Sequence, residues 1–66
     1  MKVTITGRVG NGGAGVTIYR AEADEGAITI AAMQDLQTGS TYDLKMQPSR
    51  SLFNGHQVDY MVNPHA

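Results

Sequence analysis

Cysteine is absent from this 66-residue chain, which excludes disulfide staples, thiolate zinc sites and cysteine nucleophiles together. Tryptophan is absent as well, and one Phe and three Tyr hold the aromatic content to 6%. Neither sign of charge prevails: five Lys and Arg stand against six Asp and Glu, a formal net charge of -1. Bulk charge therefore drives binding neither to a nucleic-acid backbone nor to an anionic membrane surface. No apolar run approaches the ~20 residues of a membrane span, and the opening MKVTITGRV lacks a signal peptide's apolar stretch. A cytoplasmic protein is expected. A chain this short hides only about 60% of its unfolded surface, so one domain over 1–66 is expected, with few side chains left to wall a catalytic pocket.

What the chain has is alternation of apolar and polar residues with period two, the signature of a half-buried strand. Val3, Ile5 and Val9 share one parity against Lys2, Thr4, Thr6 and Arg8. Val16 and Ile18 alternate with Thr17 and Tyr19, and Ile28 and Ile30 flank Thr29. Tyr42, Leu44 and Met46 alternate with Thr41, Asp43 and Lys45, and Val58, Tyr60 and Val62 with Gln57, Asp59 and Met61. These segments predict an all-β fold whose inward set adds Leu36 and Phe53.

The punctuation agrees. Gly7 to Gly15 holds five of the eight glycines, read as a flexible Gly-rich connection after the first strand. Asp24-Glu25-Gly26 reads as a turn. Asn54-Gly55 is the strongest hairpin signal, because a type I′ turn needs positive φ at both central residues. A two-residue turn there sets Phe53 opposite His56, Ser51 opposite Val58 and Arg50 opposite Asp59, a favourable cross-strand charge pair. Ala31 to Gln37 has helix propensity, with Gly39 placed like a residue just past a helix end. A strand through Ile28 and Ile30 followed by a helical turn is the reading adopted, since Ile-Thr-Ile favours strand.

The string VTITGRV, a Gly-rich turn, AGVTIYRAEADEG and then AITIAAMQDLQTGSTYDLKM resembles transthyretin-like β-sandwich modules of the carboxypeptidase-regulatory and collagen-adhesin B type. Gly7, Val9, Gly15, Val16, Ile18, Gly26, Leu36, Gly39, Tyr42 and Leu44 carry the likeness, which covers residues 2–46. The resemblance implies a non-catalytic interaction or structural module. Some adhesin modules of that kind form a Lys–Asn isopeptide bond beside an acidic catalyst, roles that Lys2, Asn63 and Asp43 would fill here, against a reading of all three as solvated polar residues.

Three kinds of site follow from the residues. Gly10, Asn11, Gly12, Gly13 and Gly15 present backbone N–H groups that an anion takes readily, with Arg8 and Arg20 near in sequence to add charge. The alternative is a bare hairpin connection. His56 and His65 are the only histidines, too few and too near the chain end for a zinc site, and neither sits in a pattern that activates a nucleophile. No metal, no cofactor and no enzyme activity are expected. Lys2, Arg8, Arg20, Lys45 and Arg50 with Tyr19, Tyr42 and Tyr60 make a weaker case for stacking on single-stranded nucleic acid.

A small antiparallel sandwich or half-open barrel of five to six strands, closed by a C-terminal hairpin at Asn54-Gly55, is expected. A single sheet leaves one face in need of cover, so homo-oligomerisation is expected too, with Leu52 and Met61 together on the outer face of the last hairpin as the contact. Val16–Tyr19 and Ala27–Ala31 are read as open edges that invite pairing. The leading function is a non-catalytic protein that engages another protein. The alternative is an oligomer sequestering a phosphate-bearing ligand such as a nucleotide at Gly10–Gly15.

Overall fold

The computed structural model describes residues 1–63, and the described chain is all-β. Its strands are β1 (Lys2–Gly13), β2 (Val16–Ala23), β3 (Gly26–Ala32), β4 (Thr41–Asp43), β5 (Met46–Pro48), β6 (Leu52–Phe53), β7 (His56–Gln57) and β8 (Tyr60–Val62). Six of them form one curled sheet in the order β4-β1-β2-β3-β8-β5, a half-open barrel, and β6 and β7 form a separate two-stranded sheet. The outermost strands β4 and β5 are neighbours in sequence. Between them Leu44 donates its N–H to the Met1 carbonyl (2.8 Å), while the Lys45 carbonyl accepts from the Asn63 N–H (2.8 Å). Two residues thus carry the chain from one sheet edge to the other. The ladders are antiparallel as expected except β3–β8, which is parallel, because the chain leaves β3 and returns beside it only after the long excursion through β4 to β7.

β1 explains the curl. Thr4 pairs with Glu22 and Gly13 with Val16, so ten residues of β1 oppose seven of β2, with register shifts at Ile5/Gly7, Arg8/Gly10 and Asn11/Gly13. Each shift is a bulge that adds a residue and deepens the local twist. Gly7, Gly10 and Gly13 recur every third residue at these shifts, a spacing that marks them in the sequence. The bulges also break the parity on which Val9 was placed inward: it is 39% exposed. The turn itself is only Ala14-Gly15, with positive φ at Gly13, Ala14 and Gly15. Gly10-Asn11-Gly12 belongs to the strand and not to a loop.

The inner face of β2 and β3 and the Val16–Ile18/Ala31 half of their outer face are both covered, where a single inward face is expected. Val3, Ile5, Tyr19, Ala21, Ile28, Ile30, Ala32, Leu36, Leu44 and Val62 fill the barrel interior. Val16, Ile18, Ala31 and Val58, with half-buried Phe53, form a second core on the outer face. Tyr19, Ala21, Ala31 and Ala32, outward or unassigned by alternation, are therefore all buried.

After β3 the chain does not coil into a helical turn. The Leu36 N–H donates to the Tyr19 hydroxyl (3.1 Å) and the Gln37 N–H to the Tyr42 hydroxyl (2.8 Å). Gly39 N–H donates to the Ile5 carbonyl (2.7 Å). Backbone donors that a helix would use internally are spent on the barrel wall, and Leu36 is driven into its interior.

The C-terminal hairpin turns at Asn54-Gly55 as expected, with Phe53 opposite His56 and Leu52 opposite Gln57. Its base is the β5–β8 ladder, where Met46 faces Val62 and Pro48 faces Tyr60. Base and tip are one residue out of register with each other, so the hairpin bends between them and its tip folds onto the outer face of β1. That elbow abolishes the expected Ser51–Val58 and Arg50–Asp59 pairs. Val58 turns into the second core (1% exposed), and Asp59 is taken by β3.

Candidate functional site at the open edge of β3

β3 pairs with β2 along its whole length without a shift, from Ala23 opposite Gly26 to Thr17 opposite Ala32. On its other side β8 covers only Ile30 and Ala31. Next along that side stands Asp59, which behaves like a residue of an added strand. Its N–H donates to the Thr29 carbonyl (2.8 Å) and its carboxylate Oδ2 accepts the Thr29 N–H (2.8 Å). Strand groups alternate sides with period two, so the N–H and C=O of Ala27 point the same way as those of Thr29. Among the described residues no strand of the sheet lies against them, and Ala27 is exposed. A cleft of about 160 Å³ runs along this stretch, lined by Arg20, Ala27, Ile28 and Thr29.

The rim is charged. Glu22 stands opposite Ala27 in the β2–β3 ladder, Asp24 and Glu25 form the turn before Gly26, and Asp59 closes the far end. The Tyr60 hydroxyl donates to Glu25 Oε1 (2.9 Å), tying β8 to the turn. That bond chiefly holds the phenol above its ordinary value of 10.0, and partial desolvation and the negative charges of Glu25 and Asp59 add to it. The raised value favours the neutral phenol in the folded state. Its contribution to stability is whole below pH 10, and falls away as pH rises through the raised folded value. Tyr60→Phe is expected to flatten that alkaline decline relative to wild type in thermal melts taken between pH 8 and pH 12; an identical decline in both proteins would refute the assignment.

The anion-binding residues expected from sequence are dispersed. Arg8 is in register with Tyr19, on the barrel-interior face, whereas Arg20 is in register with Gly7 on the outer face. Adjacent strand residues point to opposite faces, so the two guanidinium groups do not converge within one chain. Gly10, Gly12 and Gly13 instead form a floor under the hairpin tip. A Cβ on Gly12 would lie 3.0 Å from Phe53 Cβ, one on Gly10 3.5 Å from His56 Nε2, and one on Gly13 3.6 Å from Asn54 Oδ1. Asn11 accepts the Gly13 N–H on its side chain (2.7 Å) and the Asn54 Nδ2–H on its carbonyl (3.0 Å). Gly15 lies in the turn with open space around it.

The other candidates also separate. Leu52 is 67% exposed on β6, while Met61 is half-buried in β8, in the other sheet, opposite Gln47. Val16–Tyr19 lies between β1 and β3 and is not an edge. Lys2 faces Asp43 across the β1–β4 ladder, but the Asp43 carboxylate is 82% exposed and bonds the N-terminal ammonium (3.2 Å), while Asn63 stands beside Lys45. Tyr19, Tyr42 and Tyr60 pack against the barrel interior. His65 lies outside the described residues.

Sequence reasoning marked Ala27–Ala31 as an edge, which holds for its first half only. It missed the gathering of carboxylates there, since Asp59 was assigned to Arg50 and Asp24-Glu25 read simply as a turn. Compared with known proteins, the chain matches no family model, no curated protein and no solved structure.

Proposed function

We propose that this protein is a non-catalytic binding module that takes an extended segment of another protein onto the open edge of β3. The observation that carries the reading is the outward-pointing N–H and C=O of Ala27, beside a position where Asp59 already completes the ladder as an added strand would. An extended peptide laid on a sheet edge gains main-chain hydrogen bonds, and its alternate side chains meet the neighbouring surface. Here that surface is the cleft between Arg20, Ala27 and Thr29. Other edges are less suited: β1 is bulged where β4 leaves it, which twists an edge away from pairing, and β5 is three residues long and ends in Pro48. A non-catalytic role is also what the transthyretin-like resemblance of residues 2–46 implies.

Ala27→Pro provides the test. Proline removes the N–H that the reading requires while leaving the β2–β3 bonds intact, and proline is tolerated at sheet edges. Peptides selected from a displayed random library on the purified protein are expected to perturb the Ala27 and Ile28 amide resonances and to lose binding to Ala27→Pro. Binders that perturb other strands, or that bind the proline variant equally well, would overturn the reading.

A further inference from the structure

We infer that the segment received by the β3 edge is basic, carrying Lys or Arg on the residues that flank its pairing position. This inference rests on the edge reading above and names the chemistry of the partner. The chain has six carboxylates, Glu22, Asp24, Glu25, Asp35, Asp43 and Asp59. Four of them surround the unpaired stretch: Glu22 across the ladder from Ala27, Asp24 and Glu25 at the turn, and Asp59 on Thr29. On the outer face Arg20 stands in register with Thr29, and Arg50 follows Ser49, whose N–H donates to the Asp59 carbonyl. Four of the six carboxylates of a nearly neutral chain thus lie around the unpaired stretch of β3.

Glu25 accepts the Tyr60 hydroxyl and Asp59 the Thr29 N–H, but among the described residues none of the four is neutralised by an ion pair. Glu22, Asp24, Glu25 and Asp59 are all exposed, and among the described residues the one ion pair is that of the N-terminal ammonium with Asp43. Charges arranged around a contact steer encounter and reject like-charged partners more than they add raw affinity. An acidic segment would meet four like charges and a neutral one would gain nothing from them. The rim also disfavours a second copy of this chain as occupant, since two β3 edges brought together would oppose two sets of carboxylates.

Three alternating peptides of about ten residues, Lys-Val, Gln-Val and Glu-Val repeats, share the strand period and unbranched polar side chains and differ chiefly in charge. Each is titrated into the isotope-labelled protein and followed at the Ala27 amide. The Lys-Val peptide is expected to bind at Ala27 at least about tenfold more tightly than the Glu-Val peptide, and to weaken between about 0.05 M and about 0.5 M salt. The double variant Glu22→Gln/Asp24→Asn, which leaves the Tyr60–Glu25 and Thr29–Asp59 bonds in place, is expected to erase most of that preference without shifting the melting curve. Equal binding of all three peptides at Ala27, or a preference for Glu-Val, overturns the basic partner and leaves the edge reading standing. Failure of all three to perturb Ala27 overturns both.

Discussion

Ile30→Ala is expected to remove about 2–5 kcal/mol of stability, the range for truncating a fully buried aliphatic side chain. Ile30 is 0% exposed at the centre of the barrel interior, beside Ile5, Ile28 and Val62. A chain of this length has a total stability of about 3–10 kcal/mol, so the change is a large fraction of it. The cost combines the transfer term for the lost atoms with the cavity left behind. The surrounding wall is hydrogen-bonded strand on both sides of β3 at this position and has little freedom to collapse. Urea denaturation monitored by far-UV circular dichroism is expected to move to a much lower midpoint with the slope unchanged. Val9→Ala is the informative control. Strict alternation assigns Val9 and Ile5 to the same face, yet Val9 is 39% exposed, and its truncation is expected to fall within about 0.5 kcal/mol of neutral. Equal losses at Ile30 and Val9 would show that β1 keeps its parity from Ile5 to Val9 and that the bulge between Ile5 and Gly7 is not formed.

That contrast marks where the fold was legible in the sequence. Ile28-Thr29-Ile30 declares its strand because side-chain period and burial coincide there. The alternation of Thr41–Met46, which reads as one strand, instead breaks at Leu44-Lys45, where the chain crosses from one sheet edge to the other. Asn54-Gly55 declares its turn because only residues tolerant of positive φ fit it, and Asn54 has φ +51 and Gly55 +81. Alternation fails where the register slips: past Ile5 every bulge displaces the pattern by one residue, and only the spacing of Gly7, Gly10 and Gly13 hints at it. It fails again at Tyr19 and Ala31, because a period-two rule assigns one wet face, and no local pattern announces that a hairpin tip will cover the other. Residues Met33–Ser40 depart from their local preference for a related reason. Their helix propensity is real, but two tyrosine hydroxyls capture their amides, and tertiary hydrogen bonds outweigh a weak local preference. The site was half legible: the edge could be seen in Ala27-Ile28-Thr29 and its local hairpin carries Glu22, Asp24 and Glu25, whereas Asp59 joins them only through the long-range return of the chain beside β3.

Gly12→Ala and Gly7→Ala, the same substitution in the same strand, are expected to have opposite outcomes. A Cβ at Gly12 would stand 3.0 Å from Ile18 Cδ1, 3.0 Å from Phe53 Cβ and 3.1 Å from Val16 Cγ1. All three contacts are too close at once. Ile18 can rotate its terminal methyl, but Phe53 Cβ moves only with the backbone of β6, so relief requires lifting the hairpin tip. Overpacking of this kind costs about 1–3 kcal/mol. The lifted tip is expected to lose the Asn54 Nδ2–Asn11 carbonyl bond, to shift the Phe53 and His56 ring resonances and to speed amide exchange across β6 and β7. The barrel interior, whose residues lie on the other face, is expected to keep its chemical shifts. At Gly7 a Cβ meets nothing within 4 Å and the backbone lies outside the left-handed region. Alanine there restricts the unfolded chain without straining the folded one, and is expected to be neutral or to stabilise by about 0.4–1 kcal/mol. If Gly12→Ala is as benign as Gly7→Ala, the hairpin tip does not rest on the glycine floor and the second core is not closed by Phe53.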